Sequence, residues 1–187
     1  MGFHLLKDGD DMTGQEIKER VEKYIDDEIE TSLALEAINE AIDLIGDKSL
    51  IFETVAYSAD ANTWYLLPVD ATMVTTVTKS ESNNLFSPYD GYKLEGKNIL
   101  FLDEGTFNIH YRRLPFGIAK LSDTPEIHKA FHQCLVTYLK AWIKLQEDDE
   151  SLPGSVLMQQ FDRDVQLISN NLKRSKNPVQ WQVVRHA

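Results

Sequence analysis

The chain has 187 residues, a formal charge of -11, and 42% hydrophobic against 26% charged side chains, the profile of one globular domain with a core of its own. No apolar run approaches the ~18 residues needed to cross a bilayer, the start MGFHLLKDGDD lacks the regions of a secretory signal, and the lone Cys134 excludes an internal disulfide. The expected place of synthesis is therefore a reducing cytoplasm, and the acidic balance argues against a nucleic-acid binder driven by counterion release.

The first twelve residues read as a flexible lead-in. Asp8, Asp10 and Asp11 sit in a DGDD stretch whose glycine and glutamate offsets do not match a calcium loop. Thr13 and Glu16 have capping-box spacing, and Ile17, Val21, Tyr24 and Ile25 follow on one face, predicting a helix over about 13–26. A second helix carries Leu35, Ile38, Ala41, Ile42 and Ile45 and closes at Gly46, where glycine can take the left-handed conformation that ends helices.

From about 50 to 115 the character changes to β-branched and aromatic residues. IFETVAY, TWYLLPV, MVTTVTK, KNILFL and TFNIHYRR are the strand candidates of an antiparallel sheet or small barrel, with a hairpin turn at Glu95, Gly96 and Lys97. Pro68 suits a strand end, since it cannot donate to a ladder, and SESNNLFSPYDG at 80–91 reads as an exposed loop. Helical periodicity returns with Thr124 as N-cap and Pro125 at the first helical position, then Ile127, Phe131, Cys134, Leu135, Tyr138, Leu139 and Trp142. A last helix uses Leu157, Phe161, Val165, Ile168 and Leu172 and ends in the cations of LKRSK, which suit its C-terminal dipole. After Pro178, Val179, Trp181 and Val183 alternate with glutamines as in a strand, with no later strand to pair with.

The expected fold is thus α+β, mainly α. Its four-helix core has two N-terminal and two C-terminal helices, an antiparallel β-rich insertion, and an extended tail over 176–187. Residues 13–175 form one domain, with the insertion at about 50–115.

Charge is unevenly placed. Residues 1–50 hold fourteen Asp or Glu against five Lys or Arg, whereas nothing acidic follows Asp164 and Lys173, Arg174, Lys176 and Arg185 are basic. This asymmetry fits contacts to protein surfaces, copies of the same chain included.

Chemistry is sparse by comparison. His128 and His132 have HxxxH spacing, but Lys129 stands where a metalloprotease needs glutamate and no third ligand is evident, so a packed or surface histidine pair is the preferred reading. EDDE at 147–150 fits a charged inter-helix loop better than a cation site. No phosphate-binding glycine loop, nucleophile elbow or acid/base carboxylate pair is present; no catalytic residue, metal or cofactor is expected. Tyr57, Trp64, Tyr65, Phe86, Tyr89 and Tyr92 crowd the insertion and could stack single-stranded bases, yet with only Lys79, Lys93, Lys97, Arg112 and Arg113 for company they fit a small core better.

The order of features resembles one family. The acidic helix pair, YLLPVDATMVTTVTK (65–79), GYKLEGKNILFLDEGTFNIHYRRLP (91–115) and SDTPEIHKAFHQCLVTYLKAW (122–142) are similar to the head-to-tail connector, or adaptor, proteins of tailed bacteriophages. Pro68, Asp70, Val77, Tyr111, Arg112, Pro115, Pro125, His128 and Tyr138 occupy the matching places; the Trp often found near the start of the second helix is missing. The resemblance implies a virion neck protein, dodecameric in the family, whose ring contacts the portal and the next neck or tail protein. Genomic DNA passes its channel without sequence-specific binding. A stopper or tail-completion protein is the neighbouring alternative, a single-stranded nucleic-acid module the more distant one. The docking residues expected on this reading are Lys173, Arg174, Lys176, Val179, Trp181, Val183, Val184 and Arg185.

Overall fold

The computed structural model describes residues 11–49, 51–80, 86–147 and 152–176, without the side chains of 147 and 174–176. Two compact units emerge: Leu50–Pro115 forms one, and the segments on either side of it form the other.

The helical unit contains α1 (Gly14–Ile25), α2 (Thr31–Ile45), α3 (His132–Glu147) and α4 (Leu152–Lys176). The capping box is in place: the Glu16 amide donates to Thr13 Oγ1 at 3.2 Å and the Thr13 amide to Glu16 Oε2 at 2.8 Å. Two further amides of the first turn, those of Gly14 and Gln15, donate to the carbonyls of Asp123 and Leu121 at 3.0 and 2.7 Å, so distant chain completes the cap. Helix α2 closes at Gly46 with φ +34°. Ile17, Val21, Ile38, Ile42, Phe131, Leu135, Leu139, Phe161 and Val165 are buried together, and α3 is the spine that meets all three other helices. Helices α3 and α4 run antiparallel: Gly154 lies against Leu145, and the Tyr138 and Phe161 rings meet edge to face at 4.9 Å.

The described residues of the β unit form the strands β1 (Ile51–Ala59), β2 (Thr63–Leu66), β3 (Met73–Ser80), β4 (Phe86–Pro88), β5 (Tyr92–Glu95), β6 (Asn98–Phe101) and β7 (Gly105–Arg113). All pairings are antiparallel, in sheets of order β1-β7-β3-β4 and β2-β6-β5. Alternation along β7 buries Phe107, Ile109 and Tyr111 on one face. These pack with Val77, Ile99 and Phe101, and the Phe101 and Phe107 rings stack at 4.2 Å. A bulge between Val74 and Thr76 lets Thr75 Oγ1 donate to the His110 carbonyl at 2.9 Å.

Three expectations require correction. The chain is not mainly α: among the described residues helix accounts for 46% and strand for 27%, an α+β fold with two antiparallel sheets. The three residues of β4 are too few to show alternation in the sequence. β4 lies inside the expected 80–91 loop, where it closes on β3 through Ser80 opposite Phe86. Finally, α3 starts at His132, not after Thr124. The intervening segment is held out of α3 by a tertiary bond, with Ser49 Oγ accepting the His128 amide at 2.9 Å, and Lys129–Phe131 form a single 3-10 turn; upstream of it, Asn39 bonds both backbone groups of Ile118, at 2.7 and 3.0 Å.

Candidate functional site: a groove at the α1–α2 turn

Helix α1 ends where Asp26 takes the left-handed conformation, φ +57°, and its amide donates to the Glu22 carbonyl at 2.9 Å. The chain then turns through Asp27 and Glu28, and the Ile29 amide donates to Glu22 Oε1 at 2.9 Å. The same oxygen accepts from Lys18 Nζ. The lysine and the Ile29 amide together hold the Glu22 carboxyl below the ordinary carboxylate range. Glu22 thus fixes the turn from inside helix α1, and Ile29 is buried as its plug.

Between this turn and the last turns of α3 lies a groove of about 240 Å³. Ile25, Ile29, Leu33, Trp142 and Ile143 supply its apolar wall, and Asp27, Glu28, Glu30 and Gln146 its rim. Leu33 is 40% exposed, a cost accepted at a position on the first turn of α2 where a polar residue would fit equally well. The volume lies below the ~300–1,000 Å³ of drug-sized ligand pockets and suits one large side chain. The sequence reading registered the acidity here but not the groove. The available signal was Ile25, Ile29 and Leu33 threaded at helical spacing through DDE and E.

The basic end of the unit is elsewhere. Lys173 is exposed near the end of α4; Arg174 and Lys176 lie on the same final turns, their side chains outside the described set. Because α4 is antiparallel to α3, these cations stand at the opposite end of the helical unit from the groove. Val179, Trp181, Val183, Val184 and Arg185 lie outside the described residues.

The other sequence candidates have mundane surroundings. His128 is exposed, and its Nδ1 accepts the Ala130 amide at 3.2 Å. His132 is buried with Nδ1 accepting the Met12 amide at 2.8 Å, and burial lowers its pKa against the opposing effect of the Ile127 carbonyl. Each ring serves a different backbone amide. Among the described residues no three His, Cys, Asp or Glu side chains gather as a metal site needs, and no helix is long and apolar enough to cross a membrane.

In the β unit Tyr57, Tyr65, Tyr89 and Tyr92 pack against the core, leaving Trp64 and Phe86 exposed. The cations near them are occupied: Lys97 Nζ binds the Ala71 carbonyl, Lys79 pairs with Asp103 at 3.5 Å, and the Arg112 guanidinium lies 4.8 Å from the Phe52 ring centroid. Among the described residues of this unit no basic face with free stacking aromatics results.

Asp70 and the end of β7 meet around Arg113. Its guanidinium contacts Glu53 at 3.1 Å and Asp70 at 3.7 Å, while the Thr72 amide and hydroxyl both donate to the Arg112 carbonyl, at 2.8 and 2.7 Å. The LLPVD turn is thereby stapled to the end of β7. Tyr111 and Pro115 are buried beside these residues in sequence, and Val77 is buried opposite Ile109.

No protein-family profile matches the chain, and no curated protein matches it significantly.

Proposed function

We propose that the chain is a structural head-to-tail connector of the tailed-phage kind. Its copies form a ring that joins the portal to the next neck or tail protein and extends the DNA channel. The observation that carries this reading is the polarity of the helical unit: an apolar, acid-rimmed groove at one end and a cluster of cations at the other. Assembly in a ring requires two different, complementary surfaces on each subunit, and this arrangement supplies them. The staple around Arg113 supports the resemblance in a narrower sense. It gives Asp70 and the Tyr111–Pro115 stretch a scaffolding task that relatives would share, with no chemistry attached. An overall charge of -11 suits a channel wall that must not adhere to phosphate.

The direct test is electron microscopy of the full chain mixed with the portal protein of the same phage. A ring seated on the portal is the expected result; no ring and no portal binding would sink the proposal. Deleting residues 178–187 should leave the circular dichroism spectrum unchanged and abolish assembly, and a truncated chain that assembles normally would remove the tail from the mechanism.

A further inference from the structure

The groove and the C-terminal segment complement each other in size, polarity and charge. The groove takes one large apolar side chain and is ringed by Asp27, Glu28 and Glu30. The eleven residues after Lys176 contain a single tryptophan, Trp181, flanked by Val179 and Val183, and they carry Arg185 with no acid. A buried tryptophan inside a polar rim is the usual anchor of a protein interface, and opposite charge around it fixes register and speeds encounter.

Chain length decides whose groove it is. Tyr138 of α3 is level with Phe161 of α4, and Trp142 lies one turn beyond Tyr138. From Phe161 to Lys176 is fifteen residues of helix, about 22 Å, so the groove lies about 28 Å from the end of α4. The five residues from Asn177 to Trp181 span at most about 18 Å when fully extended. Even turned straight back along its own helix, the backbone of Trp181 falls about 10 Å short.

We infer that Trp181 of one copy docks in the groove at the α1–α2 turn of the next copy, with Arg185 and the α4 cations set against the acidic rim. The inference rests on the connector reading, in which copies meet head to tail, and it names the contact. A surface that binds a different surface of the next subunit propagates in one direction and closes only as a ring.

Two full-length variants test it without touching the core. Trp181→Ala keeps the groove and loses the anchor; Leu33→Asp keeps the anchor and puts a charge on the exposed wall of the groove. In sedimentation equilibrium each variant alone should associate at least about thirty-fold more weakly than the wild type. Their equimolar mixture has one intact groove and one intact tail, so it should give a 1:1 heterodimer and nothing larger. Glu28→Lys, a change on the exposed rim, should weaken association and flatten its salt dependence. Overturning results are a wild-type chain still monomeric at about 1 mM, a Trp181→Ala chain that associates like the wild type, or a mixture that stays monomeric. The connector reading is judged separately: normal rings of Trp181→Ala on the portal would remove the groove contact and leave that reading standing. Heterodimers formed by a chain whose wild type ignores the portal would do the reverse.

Discussion

Replacing Arg113 by methionine tests whether the ion-paired staple between the LLPVD turn and the end of β7 is scaffold or working surface. The Arg113 side chain is 7% exposed, while its partners Glu53 and Asp70 are 41% and 27% exposed. Breaking a fully buried pair costs about 3–5 kcal/mol, and an exposed pair is worth about 0.2–1 kcal/mol. With a buried cation and half-wet carboxylates the loss should fall between, at about 1–3 kcal/mol. That is a large part of the ~3–10 kcal/mol expected for a unit of 66 residues. The assay is amide hydrogen exchange by mass spectrometry on peptides covering β1 and β7, whose registered ladder runs from Ile51–Arg113 to Ala59–Gly105. Opening should become about 5- to 150-fold more frequent there, with exchange in α1 and α4 as the internal reference. A double-mutant cycle with Glu53→Gln should return a coupling above about 0.5 kcal/mol. Unchanged protection in β1 and β7 together with lost portal binding would refute the reasoning and make Arg113 part of a docking surface.

Two further outcomes follow from the helical unit. Glu22 is held below the usual carboxylate range by Lys18 and the Ile29 amide, so it contributes stability that is present above its unfolded pKa of about 4.3 and is lost as pH falls through its lower folded value. Glu22→Gln should therefore lower the melting temperature at pH 7 by an amount worth at most about 1 kcal/mol, given its partial exposure. The two melting curves should converge near pH 3, and a gap that persists there would contradict the assignment. Cys134 is buried and its thiol is pushed up to about 12 by burial, with Asp164 adding to it. Iodoacetamide at about pH 8 should leave the native chain unlabelled and modify it fully in urea. Rapid native labelling would mean that the α3–α4 interface opens readily.

How much of this was legible depends on how local the determinants are. Helix α1 could be read because Thr13 and Glu16 cap it from within four residues, and the β5–β6 hairpin because Gly96, φ +57°, opens a two-residue turn closed by Glu95 opposite Asn98. The Thr124–Pro125 helix start was equally well formed as a signal and misleading. That segment is ruled by a partner 79 residues away, Ser49 for the His128 amide, and no local rule weighs it. The strand share was underestimated for a related reason: the three residues of β4 have no pattern of their own and become a strand only by lying against Thr78–Ser80. His128 and His132 have metal-site spacing only if the segment between them is helical; with His128 capping a single 3-10 turn, each ring answers to a separate amide. The groove stayed hidden because two of its five wall residues, Trp142 and Ile143, come from a helix more than a hundred residues along the chain.

The way the β unit interrupts the helical one sets a timetable for synthesis. The apolar stripe of α2, Ala34, Ala37, Ile38, Ala41, Ile42 and Ile45, shares its native core with residues made after the β unit, the first of them Ile118. From Ile45 to Ile118 the ribosome adds 73 residues, roughly 4–15 s of translation at bacterial and eukaryotic rates. Every partner in the β unit's own core lies between Val55 and Tyr111, so that unit can close while the first two helices have only each other to pack on. The nascent chain therefore carries an uncovered sticky helix behind a finished domain for several seconds, which makes α2 the segment a ribosome-bound chaperone would hold.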